Sequence, residues 1–111
     1  MFYKNTKTIF RNSNGQISYC KKCKIYYIKF NNILLELYIE ELMYLRDLIL
    51  NQEEWLARNK KLIKTETIPI PTLQENLILL FDKNQIEEFK ELLFMKKLSN
   101  KIFTHYDYSL N

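Results

Sequence analysis

Both cysteines of the chain lie in one short segment, "ISYCKKCKIYYIKF" at residues 17–30, where Cys20 and Cys23 form a C-x-x-C pair. Between two strands, this spacing points both thiolates at a single metal ion, as in half of a zinc ribbon. A structural zinc site needs four ligands, and His105 is the only other strong candidate for a soft ligand. A symmetric homodimer would pool four thiolates, so Cys20 and Cys23 are candidate zinc ligands that a second copy would complete.

Two other interpretations of the cysteine pair stay open. A dithiol catalyst would profit from Lys21, Lys22 and Lys24, because neighbouring cations lower the pKa of a thiol. Thioredoxin-like motifs, however, stand at a helix N-terminus, whereas Cys23 is followed by the strand-like run "KIYYIKF". The third interpretation is structural: a reduced pair of small, semi-apolar side chains that fills a hairpin turn.

The same segment suggests single-stranded nucleic-acid binding, since lysines and tyrosines alternate within it. Cations for phosphates and aromatic faces for bases are what such a protein needs. Strand alternation weakens the hypothesis, because Lys24, Tyr26, Ile28 and Phe30 fall on one face and Tyr27 and Lys29 on the other. Neither face is then a purely basic and aromatic platform, and we expect the tyrosines to serve the core and the sheet surface.

No other group of residues predicts catalysis. The adjacent glutamates of each predicted helix lie on solvated faces, and a chain with one glycine has no glycine-rich phosphate loop. The leading interpretation is therefore a small non-enzymatic protein that binds a protein partner or itself. Nucleic-acid binding is the alternative, and dithiol redox chemistry is the third.

The elements that must position these residues begin with strands. Asn14 and Gly15 predict a type I′ hairpin turn with positive φ angles, and Asn31–Asn32 predicts a second tight turn. The β-branched and aromatic content of the first third favours antiparallel strands. We place these strands near residues 8–11, 16–20, 24–30 and 33–37.

Helical spacing begins at Tyr38 and predicts an amphipathic helix with an apolar stripe of Leu42, Leu45, Leu48, Ile49 and Leu56. Trp55, near its end, is expected to cap the core rather than to be an exposed interface anchor. The segment "TIPIPT" at residues 67–72 must be extended, because each Pro pushes the preceding residue out of the α region. Since proline lacks the N–H of a ladder, we place the segment at a sheet edge or in a strand with its donor-less side outward.

"NLILLF" at residues 76–81 is then interpreted as a buried strand. Asp82 and Gln85 form a capping-box pattern that begins a second helix, whose core face is Ile86, Phe89, Leu92 and Leu93. The tail is expected to add a short strand over residues 102–106.

A shift of 44 positions lays residues 32–50 over residues 76–94 with apolar positions matching. This similarity suggests two β-β-α repeats, at residues 16–57 and 64–97, within a single domain of residues 1–111. The predicted fold class is α+β: a two-layer arrangement in which two amphipathic helices pack on one face of a shared antiparallel sheet.

The chain has no apolar segment typical of a signal peptide or membrane span, so we expect a cytoplasmic protein with reduced thiols and no membrane partner. Residues 1–30 carry seven Lys or Arg and no acid, whereas residues 31–57 carry six acids and one Arg. Such asymmetry can steer an anionic partner, but we favour the simpler explanation that strands carry exposed lysines and helices display solvated glutamates.

The order of "NGQISYCKKC", "FNNILLEL", "IPIPT" and "NLILLF" resembles a family of small, uncharacterised proteins, chiefly from Bacteroidota, that is classed as a domain of unknown function. The resemblance covers most of the chain, from about Asn12 to Leu93. It implies a cytoplasmic bacterial setting with Cys20 and Cys23 at the matching cysteine positions. It implies no activity.

Overall fold

A computed structural model describes residues 5–59 and 67–102. These residues form an α+β fold with antiparallel sheets, as predicted. In chain order the elements are β1 (Thr6–Arg11), β2 (Gly15–Cys20), β3 (Ile25–Phe30), β4 (Ile33–Leu37), α1 (Ile39–Arg58), β5 (Ile68–Pro71), β6 (Ile78–Phe81), α2 (Lys83–Phe94) and α3 (residues 96–102).

The first four strands form an antiparallel sheet in sequence order. Within β3, Tyr26, Ile28 and Phe30 are fully buried, and their partners across β2 and β4 are also largely apolar. Opposed residues of antiparallel strands share a face, so these positions form the side that the helices cover. Tyr27 and Lys29 point to the other face, as the alternation predicted.

The first hairpin lies where it was predicted, but its turn is not of type I′. Among the described residues only Lys24 and Asn31 have positive φ, at 60° and 52°. The turn is held instead by the side chain of Asn12, whose Oδ1 accepts hydrogen bonds from the backbone N–H groups of Asn14 (3.3 Å) and Gly15 (2.9 Å). The side-chain amide competes with a backbone turn, as Asn and Asp commonly do.

Helix α1 begins at the predicted change of period. The backbone N–H of Tyr38 donates to the Glu41 carboxylate at 2.9 Å, which satisfies one group at the N-terminus. The buried residues of α1 are Ile39, Leu42, Leu45 and Ile49, and Leu48 and Leu56 are half-buried. Trp55 is 51% exposed, so its expected role as a core cap is wrong.

The expectation of one shared sheet is also wrong, because β5 and β6 form a separate two-stranded ribbon. The two prolines of β5 do lie at an edge, as their missing N–H groups require. One face of the ribbon packs into the core through Ile70 and Phe81. Leu80, however, is 64% exposed and Ile78 is 48% exposed, so "NLILLF" is not a buried strand.

Helix α2 follows the ribbon and begins with the predicted capping box. The N–H of Gln85 donates to Asp82 Oδ1 at 2.8 Å, and the N–H of Asp82 donates to Gln85 Oε1 at 2.9 Å. Phe89, Leu92 and Leu93 are buried as expected, and Ile86 is half-buried. Ring centroids of Phe30, Phe81 and Phe89 lie 5.3–5.5 Å apart, which joins the large sheet, the ribbon and α2 in one core.

The strand expected over residues 102–106 is not formed at its first residue, Ile102. Residues 96–102 are helical, and Leu98 and Ile102 are buried in the core four positions apart. The rest of that predicted strand, together with His105, lies outside the described residues.

Strand, N-cap and helix occur in the same order at β4–α1 and β6–α2, with Tyr38 and Asp82 at equivalent positions of the sequence shift. The two β-β-α repeats and the single domain stay predictions. Across residues 5–59 and 67–102, every helix is too short or too polar to cross a lipid bilayer.

Candidate functional site

The cysteine pair lies in the turn between β2 and β3, where Cys20 ends one strand and pairs with Ile25 of the next. The N–H of Lys24 donates to the carbonyl oxygen of Cys20 at 2.7 Å and closes the turn. Lys24 itself has a φ of 60°, a conformation that a non-glycine residue rarely adopts. The hairpin expected from the sequence is therefore present, with both thiols at its end.

The two thiols have different surroundings. Cys20 is 3% exposed and Cys23 is exposed, and neither is in a disulfide. The backbone N–H of Cys23 donates to Cys20 Sγ at 3.2 Å. A hydrogen bond from the Cys23 thiol and this backbone N–H lower the pKa of Cys20, with smaller support from Lys22. The pKa of Cys23 is raised, because its thiol donates that bond and is partly desolvated.

This division of properties bears on the redox interpretation. A reactive cysteine combines a lowered pKa with exposure. Here Cys20 has the lowered pKa but is buried, and Cys23 is exposed but holds its proton more tightly. Neither thiol has both properties.

The zinc interpretation meets a shortage of ligands. Within the described ranges, no group of three or more His, Cys, Asp or Glu side chains is arranged to hold a metal ion. One chain therefore brings two sulfur ligands to a site that needs four. Of these two, only Cys23 lies at the surface where another chain could reach it.

The alternating lysines and tyrosines form no open stacking platform. Tyr26 is fully buried and Tyr27 is 6% exposed. The ring of Tyr19 has Tyr26 beside it, with centroids 4.6 Å apart, and the Lys101 ammonium 4.1 Å from its centroid. The tyrosines serve the core and the sheet, as the sequence analysis expected.

A second candidate site, which the sequence analysis missed, is the outward face of the β5–β6 ribbon. Cross-strand pairing puts Pro69 opposite Leu80 and Pro71 opposite Ile78. Opposed residues share a face, so these four apolar side chains stand together on the side that faces away from Ile70 and Phe81. We call this surface the ribbon face. It is a contiguous apolar area of the kind that marks interaction sites.

The ribbon also has one closed edge and one open edge. Proline cannot donate to a ladder, so the backbone of Pro69 points away from β6, and its carbonyl accepts a 2.7 Å hydrogen bond from Gln52 Nε2 of α1. Leu80, opposite Pro69, must likewise point its N–H and carbonyl away from β5. Ile78 has the same orientation. Within the described part of the chain, β6 pairs with no strand on that side.

Comparison with protein families gives a match for the chain. The family of unknown function DUF6686 matches residues 1–111, which is the whole chain. The chain belongs to this family. No curated protein and no solved structure matches it.

The function of this DUF6686 chain is therefore inferred from its own geometry. The cysteine hairpin was found from residue type and spacing. The ribbon face was missed because a short apolar run is typical of buried strands and of exposed ones alike. The prolines of "IPIP" were the available signal, since they placed the segment at an edge.

Proposed function

We propose that the protein is a non-enzymatic protein-interaction module whose partner is a second copy of itself, joined through the open edge of β6. The proposal depends on the exposure of Leu80 (64%) and Ile78 (48%) on β6. The backbone groups on the outer edge of this strand pair with no strand among the described residues. A two-stranded ribbon is marginal alone, and a further strand along its edge stabilises it. Edge addition is a common mode of protein recognition.

The second copy is favoured because β6 is complementary to itself. In an antiparallel pair centred on Leu79, each Ile78 lies opposite the partner's Leu80. These are the two residues whose backbone groups point outward, so all of those groups are paired. Their side chains also meet as apolar cross-strand pairs, which contribute about 0.2–1 kcal/mol each.

Charges on either side of β6 agree with an antiparallel pair. Glu75 lies in the turn before β6 and Lys83 begins α2 after it, so an antiparallel partner brings unlike charges toward each end of the strand pair. Both side chains are exposed, and neither forms an ion pair with any described residue. Unlike charges at both ends of the strand pair favour this antiparallel arrangement.

The decisive experiment measures solution mass against concentration for the full chain and for Leu80→Pro. Because the Leu80 N–H points away from β5, proline removes an intermolecular bond and no ribbon bond, as Pro69 already does across the ladder. Two bonds are lost per dimer, so we expect the dissociation constant to rise roughly tenfold or more. Leu80→Val, which keeps the N–H, is the matched control and should dimerise like the unmodified chain.

A charge exchange tests the register. Glu75→Lys and Lys83→Glu should each weaken the dimer, and the double variant should restore it. A chain that stays monomeric at high concentration overturns the proposal. If Leu80→Pro dimerises with the same dissociation constant as the unmodified chain, β6 is not the interface.

Zinc, the cytoplasmic setting and the Bacteroidota source belong to this proposal as well. Zinc would join two chains at a second contact, the cysteine hairpin, which lies at the other end of β3 from β6. There the thiolates of Cys20 and Cys23 would supply two of the four ligands from each chain. A reducing compartment such as the cytoplasm would keep both thiols unbridged, as they are here. Recovering the protein from the cytosolic fraction of cells that encode it would test the location.

A further inference from the structure

A cationic cleft lies beside the cysteine hairpin, and neither the proposed dimer nor the cysteines use it. It has a volume of about 620 Å³ and is lined by lysines from three parts of the chain. Lys7 comes from β1, Lys21 from the hairpin turn, and Lys97 and Lys101 from α3. The other described residues of its lining, Tyr19 among them, are neutral. We call it the lysine cleft.

The four ammonium groups have no described acidic neighbour that would neutralise them. In the part of the chain that the structure describes, none of them forms an ion pair with a carboxylate. Lys101 is partly buried, and its pKa is lowered by that burial and then by Lys21 and Lys7. The fold thus holds like charges close together at a cost in stability, and an anion in the cleft would relieve their repulsion.

The cleft is held in shape by packed elements. Helix α3 is anchored by its buried Leu98 and Ile102 and by a 3.2 Å hydrogen bond from Arg46 of α1 to Ser99. Lys101 lies over the Tyr19 ring at 4.1 Å, and Tyr26 packs beside the same ring. Tyr19 therefore positions an ammonium group and is not free to stack on a base.

These observations define the ligand chemistry. Several ammonium donors with no carboxylate among the described lining residues suit phosphate oxygens, for which lysine acts as a point charge. The volume is within the range of small-molecule sites, about 300–1,000 Å³. We propose that the lysine cleft binds a small anion with two or more phosphate groups, such as pyrophosphate or the phosphate chain of a nucleotide.

Calorimetric titration of the full chain with pyrophosphate and with inorganic triphosphate tests this proposal. Lys21→Gln and Lys101→Gln should each weaken binding by about tenfold, the effect of losing one charge-assisted hydrogen bond. Lys22→Gln is the matched control, because Lys22 is next in the same turn but does not line the cleft. It should change the affinity less than twofold.

Three results would overturn the proposal. The first is the absence of saturable binding of either anion at physiological salt. The second is an equal loss in Lys22→Gln, which would indicate general surface charge. The third is much tighter binding of an oligothymidylate with a steep salt dependence, which would assign the lysines to a nucleic-acid backbone. Lys21 is exposed, so loss of folding does not confuse the comparison.

Discussion

Gly15 lies directly beneath Leu92, because the first hairpin packs against helix α2. A Cβ atom on residue 15 would stand 2.7 Å from Leu92 Cδ1 and 2.6 Å from the backbone oxygen of Lys29. Asn12 strengthens the same contact, since its Nδ2 donates to the Glu88 carbonyl at 3.0 Å and to the Glu91 carboxylate at 3.1 Å. The glycine is therefore required by the close approach of two elements and not by a positive φ.

Gly15→Ala is expected to destabilise the fold by about 1–3 kcal/mol, the usual range for an overpacked site. The Leu92 side chain can move, but the Lys29 carbonyl belongs to the sheet and cannot yield cheaply. Denaturant unfolding measures the change, with Ser13→Ala in the same turn as the control. A variant as stable as the unmodified chain would contradict the close approach.

Tyr26→Phe is expected to leave the free energy of unfolding at neutral pH unchanged or to raise it by about 1 kcal/mol. The Tyr26 hydroxyl is buried without a hydrogen-bond partner among the described residues, so its removal abolishes an uncompensated desolvation cost. Tyr44→Phe, at an exposed position, should change little. A loss of stability in Tyr26→Phe would show that the hydroxyl is bonded.

The same residue predicts an alkaline loss of stability. Burial, and secondarily the charge of Tyr19, raises the pKa of Tyr26 from 10.0 to about 12. The unfolded chain therefore loses this proton first, and the contribution that is complete below pH 10 disappears as the pH rises toward 12. The free energy of unfolding, measured between pH 10 and about 12, should fall less steeply with pH in Tyr26→Phe than in the unmodified chain.

The cysteine pair is expected to titrate in two separate steps. Cys20 loses its proton below the ordinary thiol pKa and Cys23 loses its proton above it. The lowered pKa of Cys20 contributes stability that is lost as the pH falls through its folded value, and Cys23 contributes stability that is lost as the pH rises. Ultraviolet absorbance of the thiolates measures both steps. In Cys20→Ser the pKa of Cys23 should lie closer to the ordinary value of a thiol.

Alkylation separates access from ionisation. Exposed Cys23 should be modified before buried Cys20, although its thiol is less ionised. Rapid exchange of Cys20 with a disulfide substrate at neutral pH would contradict this expectation and would favour the dithiol interpretation.

Zinc binding is expected to require two chains. Each chain supplies Cys20 and Cys23, so four-coordinate zinc predicts one ion per two chains. Metal content and solution mass of the reduced protein measure this ratio, and Cys20→Ser and Cys23→Ser should each abolish binding. A monomer that retains one ion would contradict the shared site, and a metal-free dimer would remove zinc from the proposal.

Local sequence patterns predicted much of this fold. The β-branched strands, the change to helical spacing after Tyr38, the capping box of Asp82 and the edge position of "IPIP" all depend on neighbours within a few positions. The hairpin that presents Cys20 and Cys23 likewise depends on neighbours within a few positions. These features follow from backbone preferences, so a single sequence suffices to place them.

Long-range contacts decided the rest. Only the approach of α2 explains Gly15, and only the separation of the ribbon from the main sheet exposes Leu80. The buried pair Leu98 and Ile102 made residues 96–102 helical and so carried Lys97 and Lys101 to Lys7 and Lys21, far away in the sequence. Burial depends on which elements meet in space, and periodicity within one element does not contain that information. The sequence by itself determined the elements and the cysteine turn, whereas the tertiary structure decided which surfaces stay open for a partner or a ligand.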